Sequence, residues 1–211
     1  MIDNIYTTDV MEMPLAELVE IRSARRPNRV EERPFDCSLP YLNIKTLETG
    51  EPVQYADETG FVLNKDDLVI VKDGYRSGKV FYAQEGIAAS TLAVLRPKRR
   101  DVLTSYLYCY LSFCYDDLQK RLRGTSIGHL DMNYLRLMTI PVPDIAIQKE
   151  VADKLQRIET LTNELRQKTL RLKELSMEMN RKDLKKKCDD LSLQAELILK
   201  SWLNEVFKKS V

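Results

Sequence analysis

Hydrophobic positions follow two different periods along this chain, and the change falls near residue 145. Before it, apolar residues come in short runs, among them Phe61-Val62-Leu63, Leu68-Val69-Ile70-Val71, Val80-Phe81-Tyr82-Ala83 and Leu92-Ala93-Val94-Leu95. Glu48-Thr49-Gly50-Glu51-Pro52, Asp73-Gly74, Gln84-Glu85-Gly86 and Arg96-Pro97 punctuate them. Such runs bounded by turn residues read as strands, Tyr41–Ile44 included, and residues 13–21 lead into the first. Their recurrence every ten residues or so predicts a curved antiparallel or mixed sheet.

Between Val102 and Leu122 the period becomes helical: Leu103, Leu107, Leu111, Cys114 and Leu118 share one face, interleaved with Tyr106, Tyr108, Tyr110 and Tyr115. A helix packed on the sheet makes this an α+β domain. The tyrosines could stack on bases, but four on one helix are better read as the edge of the core.

Past Pro143 there is neither a Gly nor a Pro to residue 211. Val151, Leu155, Ile158, Leu161 or Thr162, Leu165, Leu172, Leu175 and Met179 keep spacings of three, four or seven, the a/d seam of a coiled coil. The run Arg181-Lys182-Asp183-Leu184-Lys185-Lys186-Lys187 interrupts this stripe before Leu191, Ala195, Ile198, Trp202 and Val206 resume it. Two forms are open: one continuous helix of about 90 Å at about 1.5 Å per residue, or a hairpin folded back near residues 180–190. In either form another helix must cover the stripe, from this chain, a second copy or another subunit. The expected division is a compact head over residues 1–145 and a helical arm over 146–211.

At 211 residues and 44% hydrophobic, the chain can bury one sizeable core with an extended element left over. Lys and Arg number 33 against 32 Asp and Glu, so the net charge of +1 says nothing about nucleic acid and only local clustering can. One cluster is Arg22, Arg25, Arg26, Arg29 and Arg33, tempered by Glu31 and Glu32. It reads equally as a solvated loop or as guanidinium forks for phosphate and guanine. Gly74-Tyr75-Arg76-Ser77-Gly78-Lys79-Val80 has one residue too few between its glycines, and Val80 where a P-loop needs Ser or Thr. It reads instead as a loop between strands that projects Lys72, Tyr75, Arg76 and Lys79 toward an anionic partner.

The four cysteines lack paired spacing and the chain holds one His, too few ligands for a metal site. Reduced cysteines, an acidic start unlike a signal peptide and no apolar run of about 18 residues lead to the expectation of a cytoplasmic protein with no membrane span. Ser126, His129 and Asp131 are too close in sequence to identify a triad. No dinucleotide-binding or amino-methyltransferase box occurs, so no chemistry is expected of the chain itself.

The order of these features resembles the specificity subunit of type I restriction-modification systems. The resemblance rests on Met13-Pro14-Leu15-Ala16-Glu17-Leu18, on Pro40-Tyr41-Leu42-Asn43-Ile44 through Gly50, and on Leu63 through Gly74 to Gly78-Lys79-Val80. It continues with Gly124, Leu130, Leu135, Ile140-Pro141-Val142-Pro143, Gln148 and Val151-Ala152-Asp153-Lys154-Leu155, and ends with Leu199 to Phe207. It implies one target recognition domain followed by a coiled-coil arm, half of the family's usual two of each, with the stretch from Gln148 to Phe207 some twenty residues longer than usual.

The implied function is non-catalytic: reading one half of a bipartite site on double-stranded DNA. The arm would dock a DNA adenine methyltransferase subunit that carries S-adenosylmethionine, with a restriction subunit as a further partner, and a homodimer through the arm would read a palindromic target. Candidate DNA contacts, read from the residues and not from the family, are Arg22, Arg25, Arg26, Arg29, Lys45, Lys72, Tyr75, Arg76, Lys79, Arg121, Arg123, Thr125, Ser126 and His129. The candidate arm interface is Val151, Leu155, Ile158, Leu165, Leu172, Leu175 and Met179. The competing reading is a coiled-coil interaction module, a regulator or decoy of such a complex with no direct DNA binding.

Overall fold

The computed structural model describes residues 10–122, 128–178 and 182–207. The chain starts with β1 (Met11–Pro14), the single turn α1 (Leu15–Leu18) and β2 (Val19–Ser23), then β3 (Val30–Glu31) and β4 (Leu39–Leu42). The expected strand over Tyr41–Ile44 stops at Leu42. Asn43 instead caps the helix α2 (Ile44–Thr49), its side chain accepting from the Thr46 N–H, and Gly50 closes the other end. Asn before the first turn and Gly after the last are the ordinary start and stop of a helix, here overruling a short apolar run.

β5 (Tyr55–Ala56), β6 (Phe61–Leu63), β7 (Leu68–Val71), β8 (Val80–Tyr82), β9 (Gly86–Ala88) and β10 (Leu92–Pro97) complete two sheets where one was expected. The first, ordered β2-β10-β7-β8, is antiparallel throughout. The second, ordered β3-β5-β4-β9-β6, is mixed, with β4 and β9 parallel. β7 is buried at all four positions because alternate side chains go to opposite faces. Leu68 and Ile70 pack with the helical layer, while Val69 and Val71 pack with Leu42, Leu63 and Ala88 of the second sheet. Evenly spaced apolar runs are the same signal whether the strands form one sheet or two, which is why the stacking was not anticipated.

Two segments, α3 (Thr104–Phe113) and α4 (Tyr115–Lys120), form the expected helix, and α5 (Met132–Leu137) and β11 (Thr139–Val142) follow. β11 pairs with β1, clasping the start of the chain to the segment that leads into the arm. As expected of a core edge, Tyr106 is fully buried and its hydroxyl donates to the Pro141 carbonyl at 2.6 Å. The α+β class therefore holds.

The arm is a hairpin: α6 (Ile145–Glu178) and α7 (Lys182–Phe207) run antiparallel, fastened by Arg166–Glu196 at 2.8 Å and Lys173–Asp189 at 2.6 Å. It joins the head through Gln148, wholly buried. The Gln148 Nε2 donates to the Asp101 carbonyl at 2.9 Å and the Pro143 carbonyl at 2.8 Å, and its Oε1 accepts from the Leu103 N–H at 2.9 Å. Val151 and Leu155 of α6 and Leu203, Val206 and Phe207 of α7 enter the main core. Phe207 sits 5.3 Å from the ring centroids of both Tyr110 and Phe113.

Candidate nucleic-acid interface

β2 and β7 end, and β10 and β8 begin, at the same edge of the four-stranded sheet, so antiparallel pairing gathers the loops around them at one end. Ala24 N–H bonds the Leu92 carbonyl, and the N–H groups of Lys72 and Asp73 bond that of Thr91. Segment 128–130 joins this group: Gly74 N–H bonds the Gly128 carbonyl, Leu130 N–H bonds that of Lys72, and Asp73 faces His129 across an isolated bridge. Side chains far apart in sequence, from Arg25 and Arg26 through Lys72 and Tyr75 to His129, thus share one end of the head.

Many of the cations there are already paired. Glu48 of α2 receives Arg76 and, at 2.9 Å, Lys79. Asp73 takes Lys72 at 2.7 Å and the Nδ1 of His129 at 2.8 Å. Burial works against ionisation of Asp73, but the bonds from Lys72 and His129 outweigh it and hold its carboxyl below the usual range. Arg22 pairs with Glu20, and Arg29 pairs with Glu31 while lying 4.0 Å over the Phe35 ring. Arg121 lies 4.4 Å over the Tyr134 ring, and Arg123, Thr125 and Ser126 fall outside the described residues. Arg25, Arg26 and Lys45 are exposed and make no ion pair among the described residues. Tyr75 is 79% exposed.

Sequence reasoning missed Glu48, the carboxylate that orients Arg76 and Lys79, and Gln119, whose side-chain amide donates to the Ser77 carbonyl beneath the loop. Neither carries a local signal, because Glu48 acts on residues 28 and 31 positions away. Between this loop, α3 and the hairpin runs a cleft of about 980 Å³ that includes Phe81, Tyr108, Glu159 and Arg166. Burial, then Arg76 and Arg166, lower the Lys79 pKa. Glu159 is pushed up by burial, against the bond at 2.9 Å that it accepts from the Tyr108 hydroxyl.

Of the candidate arm interface, Val151 and Leu155 are buried and Ile158 and Leu165 half-buried, but Leu172 and Leu175 are 54% and 52% exposed. The a-type positions facing α7 beyond Leu155 are Thr162 and Thr169, both buried. Met179 falls outside the described residues. Among the described residues no group of three or more His, Cys, Asp or Glu could hold a metal ion, and no helix is long and apolar enough to cross a membrane.

The family described as type I restriction modification DNA specificity domain matches residues 7–174, well over half of the chain. The chain belongs to this family. Specificity subunits are the non-catalytic members of their systems, so this chain is not an enzyme. It is 24% identical over 149 residues to the type I restriction enzyme MjaVIII specificity subunit of Methanocaldococcus jannaschii, over 70% of this chain and 35% of that protein.

Two solved structures, each 16% identical, share the fold. One, from work on complex assembly and conformational transition of a type I R-M system, has a TM-score of 0.61 over 93% of this chain. The other, the HsdS subunit from Thermoanaerobacter tengcongensis, has a TM-score of 0.57 over 96%. The chain spans 45% of the length of each.

Proposed function

We propose that residues 1–145 read one half of a bipartite site on duplex DNA and that residues 146–211 form the arm that sets the spacing to a second half-site. The observation that carries this reading is the gathering of Arg25 and Arg26, unpaired among the described residues, with Tyr75 and the Glu48-pinned Arg76 and Lys79 at one end of the head, where the exposed Lys45 shares α2 with Glu48. Exposed, unpaired guanidinium and ammonium groups supply phosphate contacts, and polar groups fixed beside them can address base edges. The proposed contact set is the one derived from the sequence, with Arg25, Arg26 and Lys45 carrying the electrostatic share.

The arm is proposed to dock the methyltransferase subunit and to pair with a second copy of this chain. The motif of this second proposal is a flank of the hairpin. Leu161, Leu172 and Leu175 of α6 and Leu191 and Ile198 of α7 are each 40% or more exposed. By helical spacing they lie opposite the flank marked by Arg166–Glu196 and Lys173–Asp189. A restriction subunit would join through the methyltransferase, and such an assembly would work in the cytoplasm.

The test is duplex binding by the full chain with its methyltransferase over a salt series. Replacing Arg25 and Arg26 together with Ala should weaken binding to all sequences alike and reduce the slope of log affinity against log salt by about 2. Binding that ignores salt, or none at all, would favour the interaction-module reading instead.

A further inference from the structure

Tyr75 is the most exposed large hydrophobic side chain among the described residues. A ring so placed is ordinarily found on a loose loop, yet its loop is tied down at every point. Gly74 and Gly78 take φ of 113° and 92°, a region costly for any other residue, and a Cβ on Gly78 would meet Leu118 at 3.0 Å. Gly78 N–H bonds the Val71 carbonyl at 2.7 Å, and Ser77 N–H bonds that of Gly74 at 3.0 Å. The buried Ser77 hydroxyl lies 2.7 Å from the Gly74 carbonyl and 3.0 Å from that of Gly128, while Gln119 holds Ser77 from below. The ring is fixed as well: Arg76 donates to its hydroxyl at 2.9 Å, its guanidinium 5.2 Å from the ring centroid. The backbone that carries the ring is thus ordered in the free protein, which lowers the cost of ordering it against a partner.

Resting on the DNA-reading function proposed above, we infer that Tyr75 is a wedge that enters an opened base step of the bound duplex. In an intact helix the base faces are covered by their neighbours, so a protruding ring on a stiff loop gains stacking only where a step is unstacked and the duplex kinked. Lys72, Arg76 and Lys79 flank it, three cations against the two carboxylates, Asp73 and Glu48, that hold them, so the surroundings of the ring keep a net positive charge for the phosphates that such a kink crowds together. The deformable pyrimidine–purine steps are the ones a wedge opens at least cost, so Tyr75 selects sequence through DNA shape and not through hydrogen bonds.

The test selects sites from a random-sequence duplex pool, using the full chain co-expressed with its host's methyltransferase subunit, and measures bending by energy transfer between labelled duplex ends. Wild-type protein should enrich a pyrimidine–purine step and shorten the end-to-end distance. Tyr75→Ala should melt like wild type, bind roughly tenfold more weakly and lose both the bend and the step preference. Tyr75→Phe should keep all three. If Tyr75→Ala bends and binds like wild type, or Tyr75→Phe is as damaged as Tyr75→Ala, the wedge is overturned while DNA reading stands. Wild-type protein that retains no duplex overturns the DNA reading itself.

Discussion

The two halves of the helical hairpin are built on opposite plans. Next to the head, α6 and α7 bury Val151, Leu155, Leu203, Val206 and Phe207 in the main core. Farther out, the seam between them is filled by Thr162, Thr169, Cys188 and Ala195, while leucines lie outside it. Small residues let the helices approach but bury little apolar area, so the outer half draws little stability from its own seam. The comparison teaches that hydrophobic periodicity reports which residues are to be covered, not by what. The inner stripe is covered within the chain, while Leu172 and Leu175 of the outer one are exposed in it.

Phe207→Ala should give the largest effect, removing a ring from between Tyr110 and Phe113 at about 3–5 kcal/mol in urea unfolding. An effect below about 1 kcal/mol would break the comparison, since the inner half would then be as lightly held as the outer. Gln148→Ala comes next. It strands the Leu103 N–H and the Asp101 and Pro143 carbonyls, with an expected loss of about 2–4 kcal/mol and faster amide exchange at the start of α6.

Glu159→Gln sharpens the boundary between the halves through pH. A carboxyl whose folded pKa is raised binds more protons folded than unfolded, so the protein is penalised as pH rises from the unfolded value through the folded one. The variant should therefore match wild type near pH 4 and melt at higher temperature than wild type at pH 8. Equal melting at both would place Glu159 in water. The smallest effect on the isolated chain belongs to Leu172→Ser with Leu175→Ser, within about 0.5 kcal/mol per site. Sedimentation or methyltransferase pull-down should nonetheless lose association, and unchanged association would mean that the outer flank is not an interface.

How far the sequence disclosed this molecule depended on how local each signal was. The change of period at 145 and the start of the seam at Val151 and Leu155 need only neighbours three and four residues apart, and α3 and α6 lie where the spacing put them, whereas Leu172 and Leu175 of the expected seam are exposed and Thr162 and Thr169 face α7. The rod-or-hairpin question stayed open because the basic run after residue 180 fits either form, and the answer lies in pairs such as Arg166–Glu196, thirty positions apart. The two-sheet stacking was hidden in the continuous apolar run Leu68–Val71, which shows that both faces are covered but names neither cover. At the candidate interface, residue type flagged the cations, but only the fold separates Arg25 and Arg26, unpaired among the described residues, from Arg22 and Arg29, held by Glu20 and Glu31.

Gln148 fixes more than stability. A helix of 34 residues is about 51 Å long, so each degree of play where it leaves the head moves its far end by roughly 0.9 Å. About 4° of play would displace that end by the rise of one DNA base step, about 3.4 Å. The buried Gln148 amide, bonded to three backbone groups, and the core contacts of Val151, Leu155 and Phe207 together set that angular tolerance: if the hairpin is a ruler between half-sites, its graduation is as fine as this joint is stiff.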